Sequence, residues 1–170
     1  TTIMLMPFGN QLEKLACLTI KDKKANMVSP EDKDLQMLDD RFLDSPGYAI
    51  MLCQNAVAEM AKLSKEAVHE AIGILIDYNE EQAENIYRLE DEVDKYEDRL
   101  TSYLVKVSSK NLNFDEGHTV SMLLHSLNDF ERISDHAINI LDSAKELYDK
   151  GLRFSEKGIN EINVYSRAVE

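Results

Sequence analysis

The chain is poor in the residues that make turns and sheets: it has 6 glycines, 3 prolines and no tryptophan, and aromatic residues of any kind make up 7%. With so little turn material, hairpins have few places to form, and an all-helical fold is favoured. Cysteine is scarce too. Cys17 and Cys53 fit no metal-binding or redox spacing, and two cysteines among helices rich in Lys and Glu suggest reduced thiols in a cytosol, with a packing role. Basic residues are outnumbered, 19 Lys and Arg against 32 Asp and Glu, for a formal charge of −13. That balance disfavours nucleic acid, whose affinity comes mainly from Lys and Arg on phosphate, and it disfavours unaided binding of free phosphate while concentrating cations. No Gly-rich phosphate loop occurs, and no nucleophile stands beside a base at triad-like spacing, so a catalytic role is not expected.

What the chain does have is apolar material, 44% of its residues, enough for one domain core at 19.4 kDa. The opening run Thr1-Thr2-Ile3-Met4-Leu5-Met6-Pro7-Phe8 falls far short of the roughly 20 residues of a membrane span. It lacks the charged leading region and cleavage site of a signal peptide, and without an initiator Met it looks like a cut end. Two readings of residues 1–20 stand. They are the last turn of a longer apolar helix, with Lys14, Lys21, Lys23 and Lys24 on its cytoplasmic side, or a terminus that merely packs on the domain. Residues 21–45, mixed in charge and containing Pro30, read as a connector with one amphipathic turn at Leu35, Leu38 and Phe42.

Three long helices follow over 46–152. Ser45 can cap the first, with Pro46 at its first position, and a stripe of Cys53, Ala56, Met60, Leu63, Ala67, Ala71, Ile74 and Tyr78 runs to a weak break at Asp77-Tyr78-Asn79. The second, from Glu80 to Lys110, places Ile86, Leu89, Val93, Tyr96, Leu100, Tyr103 and Val107 at alternating spacings of three and four, a heptad seam. After a turn over Asn111 to Gly117 the third repeats that rhythm in Val120, Leu123, Leu127, Phe130, Ser134, Ala137, Leu141, Ala144 and Tyr148, and Gly151 closes it. The seams need one another, and a long antiparallel three-helix bundle buries all three. From Ser155, Ile159, Ile162, Tyr165 and Val169 outline a partial fourth helix within 153–170, which either packs back or opens a second unit.

Two acidic pairs interrupt this pattern. Glu131 and Asp135 lie one helical turn apart beside the third seam, and Glu90 and Asp94 repeat the arrangement on the second helix. Each like-charge pair at that spacing costs roughly 0.2–0.5 kcal/mol on an isolated helix, so the chain carries a doubled penalty that calls for a counter-charge. If the two helices are neighbours, four carboxylates converge at a partly desolvated edge, where they must take up protons, meet cations or bind metal. An all-oxygen set suits hard ions such as Mg²⁺, Mn²⁺ or ferric iron. The bland alternative is a solvated acidic face. A ferritin-like di-iron site is not expected, because Glu66-Ala67-Val68-His69 is the one Glu-x-x-His, turned away from its seam. His118, His125 and His136 share a polar stripe with Asp129 and Arg132, and His136 is placed to support Asp135 from outside.

The run Glu131-Arg132-Ile133-Ser134-Asp135-His136-Ala137-Ile138-Asn139-Ile140 resembles the signature helix of the PhoU proteins, phosphate-signalling helical bundles whose Glu/Asp-x-x-x-Asp motifs hold multinuclear metal clusters. Glu90 to Asp94 matches the partner motif. Leu5-Met6-Pro7-Phe8, Gln11-Leu12-Glu13-Lys14-Leu15 and Leu38-Asp39-Asp40-Arg41-Phe42-Leu43-Asp44 are similar to the segment that joins the membrane part of bacterial sodium/phosphate cotransporters to their PhoU-like C-terminal domain. The resemblance implies a non-catalytic regulatory domain on the cytoplasmic face of the cell membrane, partnered by the membrane part of the same transporter. Its ligands would be Glu90, Asp94, Glu131 and Asp135, its ion iron, manganese, magnesium or zinc, and phosphate would be met only indirectly through metal. A full PhoU protein resembles two three-helix repeats, whereas this sequence supplies one repeat and part of a helix, so a cluster would be incomplete or completed by a homodimer. The alternative is a structural helical-bundle interaction module without metal.

Overall fold

The chain is seen here in a computed structural model that describes residues 33–169. The apolar start, Lys14, Cys17, Lys21, Lys23, Lys24 and Pro30 lie outside the described residues. The described chain holds four long helices and no strand: α1 (Pro46–Ile74), α2 (Glu80–Ser108), α3 (Phe114–Asp149) and α4 (Glu156–Val169). One α-helical turn (Lys33–Gln36) and a 3-10 turn (Asp40–Asp44) precede them.

Each helix end has a local cause. Pro46 opens α1, but the Ser45 side chain makes no capping bond, contrary to expectation; its carbonyl instead accepts from the Tyr48 and Ala49 amides at 3.0 and 3.1 Å. The break after α1 is set by Asn79, whose Oδ1 accepts from the Glu81 and Gln82 amides at 2.8 and 3.3 Å. Glu80 and Glu81 in that first turn also complement the helix dipole. α3 starts earlier than the expected turn over 111–117 allows. Asn113 and Glu116 form a reciprocal capping box, each side chain accepting from the other's amide at 2.9 Å, so Gly117 lies inside the helix. α3 stops where Gly151 takes φ +64° and the Leu152 amide reaches back to the Leu147 carbonyl at 2.9 Å, a Schellman closure.

α1, α2 and α3 pack on one another as a three-helix bundle. All seven seam residues expected on α2 are buried, and Ala83 and Leu104 join them. On α1, Leu63 is half-buried and the other six seam residues within the helix are buried, whereas the helix ends at Ile74 and the half-buried Tyr78 lies beyond it; on α3, Leu123 and Phe130 are half-buried. Tyr148 departs from its seam, 61% exposed in the last turn of α3, where its ring stacks on Tyr78 at 4.7 Å. On α4, Ile159 and Ile162 are half-buried, but Tyr165 is 71% exposed and does not continue their face.

The core falls into two clusters, and Leu63 packs against both. Ser64 and Ser134 are the two buried polar residues of the bundle, each 1% exposed. Ser64 Oγ donates to the Met60 carbonyl at 2.9 Å, whereas the Ser134 hydroxyl has no protein partner. Leu100→Ala should therefore destabilise the bundle by about 2–5 kcal/mol, Asn113→Ala by about 1 kcal/mol, and Ser134→Ala should be neutral or slightly stabilising. Urea unfolding followed by circular dichroism checks the three; a loss of more than about 1.5 kcal/mol for Ser134→Ala would contradict the assignment of an unpartnered hydroxyl.

Candidate functional site

Seam packing decides where the acidic pairs point. Leu89 and Val93 are buried, so Glu90 and Asp94, each one residue further along α2, come to the rim of the bundle on the side of α3. Ser134 does the same for α3, with Asp135 following it and Glu131 one turn earlier. Glu90 and Glu131 are half-buried, while Asp94 and Asp135 are exposed. The condition set by the sequence is met: α2 and α3 are neighbours, and the four carboxylates share their common edge.

Glu90, Asp94 and Glu131 are all shifted in one direction. Burial raises the Glu90 pKa above its ordinary value, and repulsion from Asp94, Asp135, Asp91 and Glu131 adds to the rise. Asp94 is raised first by burial and then by Asp135, Asp98, Asp91 and Glu97. Glu131 is raised by burial, then by Asp135, Asp94 and Glu97, against a smaller lowering by Arg132. The basic residues of α2 are engaged elsewhere: Arg88 pairs with Glu92 at 2.6 Å and Lys95 with Asp91 at 3.0 Å. Among the described ion pairs none includes Glu90, Asp94, Glu131 or Asp135.

A groove of about 310 Å³ runs along the edge, lined by Asp94, Glu97, Asp98, Asn128 and Glu131. Glu97 is held in place by the Thr101 hydroxyl, which donates to it at 2.9 Å. Further along, the Tyr87 hydroxyl reaches Asp142 Oδ1 at 3.5 Å. Asp98 and Tyr87 were not singled out in the sequence, although Asp98 stands four residues after Asp94 and continues its line. Glu66 and His69 lie on an exposed part of α1 and do not line the groove, and His118, His125 and His136 are exposed along α3. Cys53 sits in the core, its thiol pushed up to about 12 by burial, which makes it a packing residue rather than a nucleophile.

Chemically, the carboxylate donors at this edge are all oxygen, and among the described ion pairs none ties a cation to the four, with Arg132 offsetting the repulsion at Glu131 only in part. That composition fits a hard cation. As they stand, no three His, Cys, Asp or Glu side chains among the described residues form a metal-holding group, so holding an ion requires the carboxylates to draw together.

The fold and the edge together define an all-helical bundle with a paired-carboxylate groove. The chain belongs to the PhoU domain family, which it matches over residues 57–144, more than half its length and including both acidic pairs. No curated protein and no solved structure matches it.

The raised pKa values give a pH dependence. An acid whose folded pKa lies above its unfolded value binds more protons when folded, so its contribution to stability falls as pH rises through that window and stays unfavourable above it. For Glu90, Asp94 and Glu131 the window opens near 3.8 for Asp and 4.5 for Glu and extends upward. In metal-free buffer at pH 7, Asp94→Asn with Glu131→Gln should raise the melting temperature by about 1–3 °C, and the gain should vanish below pH 4. A scanning-calorimetry series showing an equal gain at both pH values would rule out charge repulsion as its source.

Proposed function

We propose that this PhoU domain is a non-catalytic regulatory module whose Glu90, Asp94, Glu131 and Asp135 hold one or more divalent or ferric cations, with iron, manganese, magnesium and zinc as the candidates. PhoU membership carries phosphate-related regulation as its general sense. The observation that carries the metal reading is the meeting of two unpaired Glu/Asp pairs across the α2–α3 edge while the nearby cations of α2 serve other carboxylates. A bound cation would supply positive charge to an otherwise acidic surface, so that phosphate or an anionic partner could be sensed there. The residues' share of that work is to present four oxygen donors from rigid helices and, through Glu97, Asp98 and Asn128, to keep the groove polar.

The wider setting belongs to the same proposal. The likeness of residues 5–8, 11–15 and 38–44 to the joining segment of sodium/phosphate cotransporters supports a place on the cytoplasmic face of the membrane, fastened to the membrane part of such a transporter. No helix among the described residues is long and apolar enough to cross a membrane. Completion of the cluster by a second copy is part of this reading. The rival, a metal-free interaction module, draws on the fact that the carboxylates as described are not yet gathered around a common point.

Elemental analysis of protein purified without chelator or a metal-affinity tag separates the two. Stoichiometric metal in the parent and its loss in Glu131→Gln, Asp135→Asn is the expected result, and absence of metal from both after reconstitution would leave the interaction module. With free ion about 100-fold above its Kd, reconstitution should stabilise the parent by about 2.7 kcal/mol and the variant by far less. Unchanged phosphate dependence of uptake in a transporter carrying the double variant would sink the regulatory link.

A further inference from the structure

The 3-10 turn before α1 is fastened to α2 by one stripe of side chains. Arg99, Tyr103 and Lys106 recur at spacings of four and three, so they share a face of α2, and Lys110 follows just past the helix end. Arg99 Nη2 donates to the Leu38 carbonyl at 3.1 Å, and the Tyr103 hydroxyl donates to the Asp39 carbonyl at 2.9 Å. Lys106 Nζ meets both Asp40 oxygens at 2.9 and 3.0 Å, and Lys110 Nζ lies 3.4 Å from Asp44. Partners at 38, 39, 40 and 44 follow the order of the stripe, so this piece of chain lies alongside α2 as a strap. Leu38, 1% exposed, and the buried Leu43 anchor it in the core, and Phe42 meets Tyr48 of α1 edge-to-face at 5.1 Å.

The strap's own backbone bonds are local: Leu38 to Leu35, Asp39 to Met37, Phe42 to Asp39 and Ser45 to Phe42. Its hold on the bundle therefore consists of side-chain ties and a few apolar contacts. None of the helical ladders of α1, α2 or α3 has to break for it to leave. Two of the ties are exposed ion pairs, individually weak and sensitive to salt.

We propose that residues 37–44 form a latch, a segment that opens as one unit while the three-helix bundle stays folded. Its closed form ties Leu38, Asp39 and Asp40 to one side of α2, the helix whose opposite side carries Glu90, Asp94, Glu97 and Asp98. Cooperative opening below the global limit is the behaviour that sets a latch apart from a structural strap.

Native-state hydrogen exchange on the whole chain, resolved at the Leu38, Phe42 and Ser45 amides and at the Leu100 and Leu127 amides of α2 and α3, tests this. A latch gives the three strap amides one shared opening, faster than that of Leu100 and Leu127. Tyr103→Phe and Arg99→Met should each speed the three strap amides by one common factor of about fivefold, the effect of one lost hydrogen bond, and Leu127 by no more than that factor, because the bond is absent from the strap-open and the unfolded states alike. Salt at about 1 M should also speed them, because it shortens the screening length to about 3 Å. Strap amides that exchange only with Leu100 and Leu127, or that respond to one variant by different factors, would overturn the latch and make the segment an integral part of the bundle.

Discussion

Burial of the α2 seam is the constraint on which everything else depends. Leu89, Val93 and Leu100 are buried, and each contributes about 1.5–3 kcal/mol by leaving water. Repulsion within an i, i+4 carboxylate pair is roughly a few tenths of a kcal/mol. Seam packing therefore outweighs the charge conflict several times over, and α2 cannot rotate to relieve it without exposing its leucines. The carboxylates at 90 and 94 stay where the seam puts them, facing 131 and 135.

The same helix shows how the conflict is localised. Arg88 and Lys95 lie within reach of the acidic pair in sequence, yet their i, i+4 partners are Glu92 and Asp91. Salt bridges of this exposed kind add little stability, and their effect here is mainly one of placement. They draw positive charge to the flanks of α2 and leave the edge toward α3 to acidic groups. Glu90, Asp94 and Glu131 accordingly all shift in one direction, with burial as the first cause and neighbouring carboxylates as the second. A surface held in that state favours whatever brings positive charge to it.

Much of the bundle was legible because its signals are periodic or local. The three-and-four rhythm of α2 identifies its buried face residue by residue, and Gly151 marks the end of α3 by the left-handed backbone it adopts. Where periodicity meets a helix end it fails: Tyr148 keeps the seam spacing but, in the last turn of α3, is left mostly in solvent. The start of α3 was misplaced because Gly117 suggests a turn, whereas the reciprocal bonds of Asn113 and Glu116 outweigh one helical glycine. At the candidate site the two pairs could be read from spacing alone, since i and i+4 share a face on any helix. Their meeting across two helices, and the part played by Asp98 and Tyr87, depend on the relative rotation of α2 and α3, which only packing sets.

The strap before α1 was the least legible region, for a related physical reason. Its residues are too few to show a period, and what fixes them comes from more than sixty positions away: Leu38, Asp39 and Asp40 are tied to Arg99, Tyr103 and Lys106. Their placement has a consequence for α2. One stripe of that helix holds the strap, a second holds the seam and a third carries the acidic edge, so a displacement imposed on the strap acts on a rod that already bears the groove. A helix transmits such a displacement along its length because its backbone bonds are internal, whereas the contacts between helices are side-chain packing that can shift. Any coupling between the strap and the carboxylates at 90 and 94 would thus run through α2.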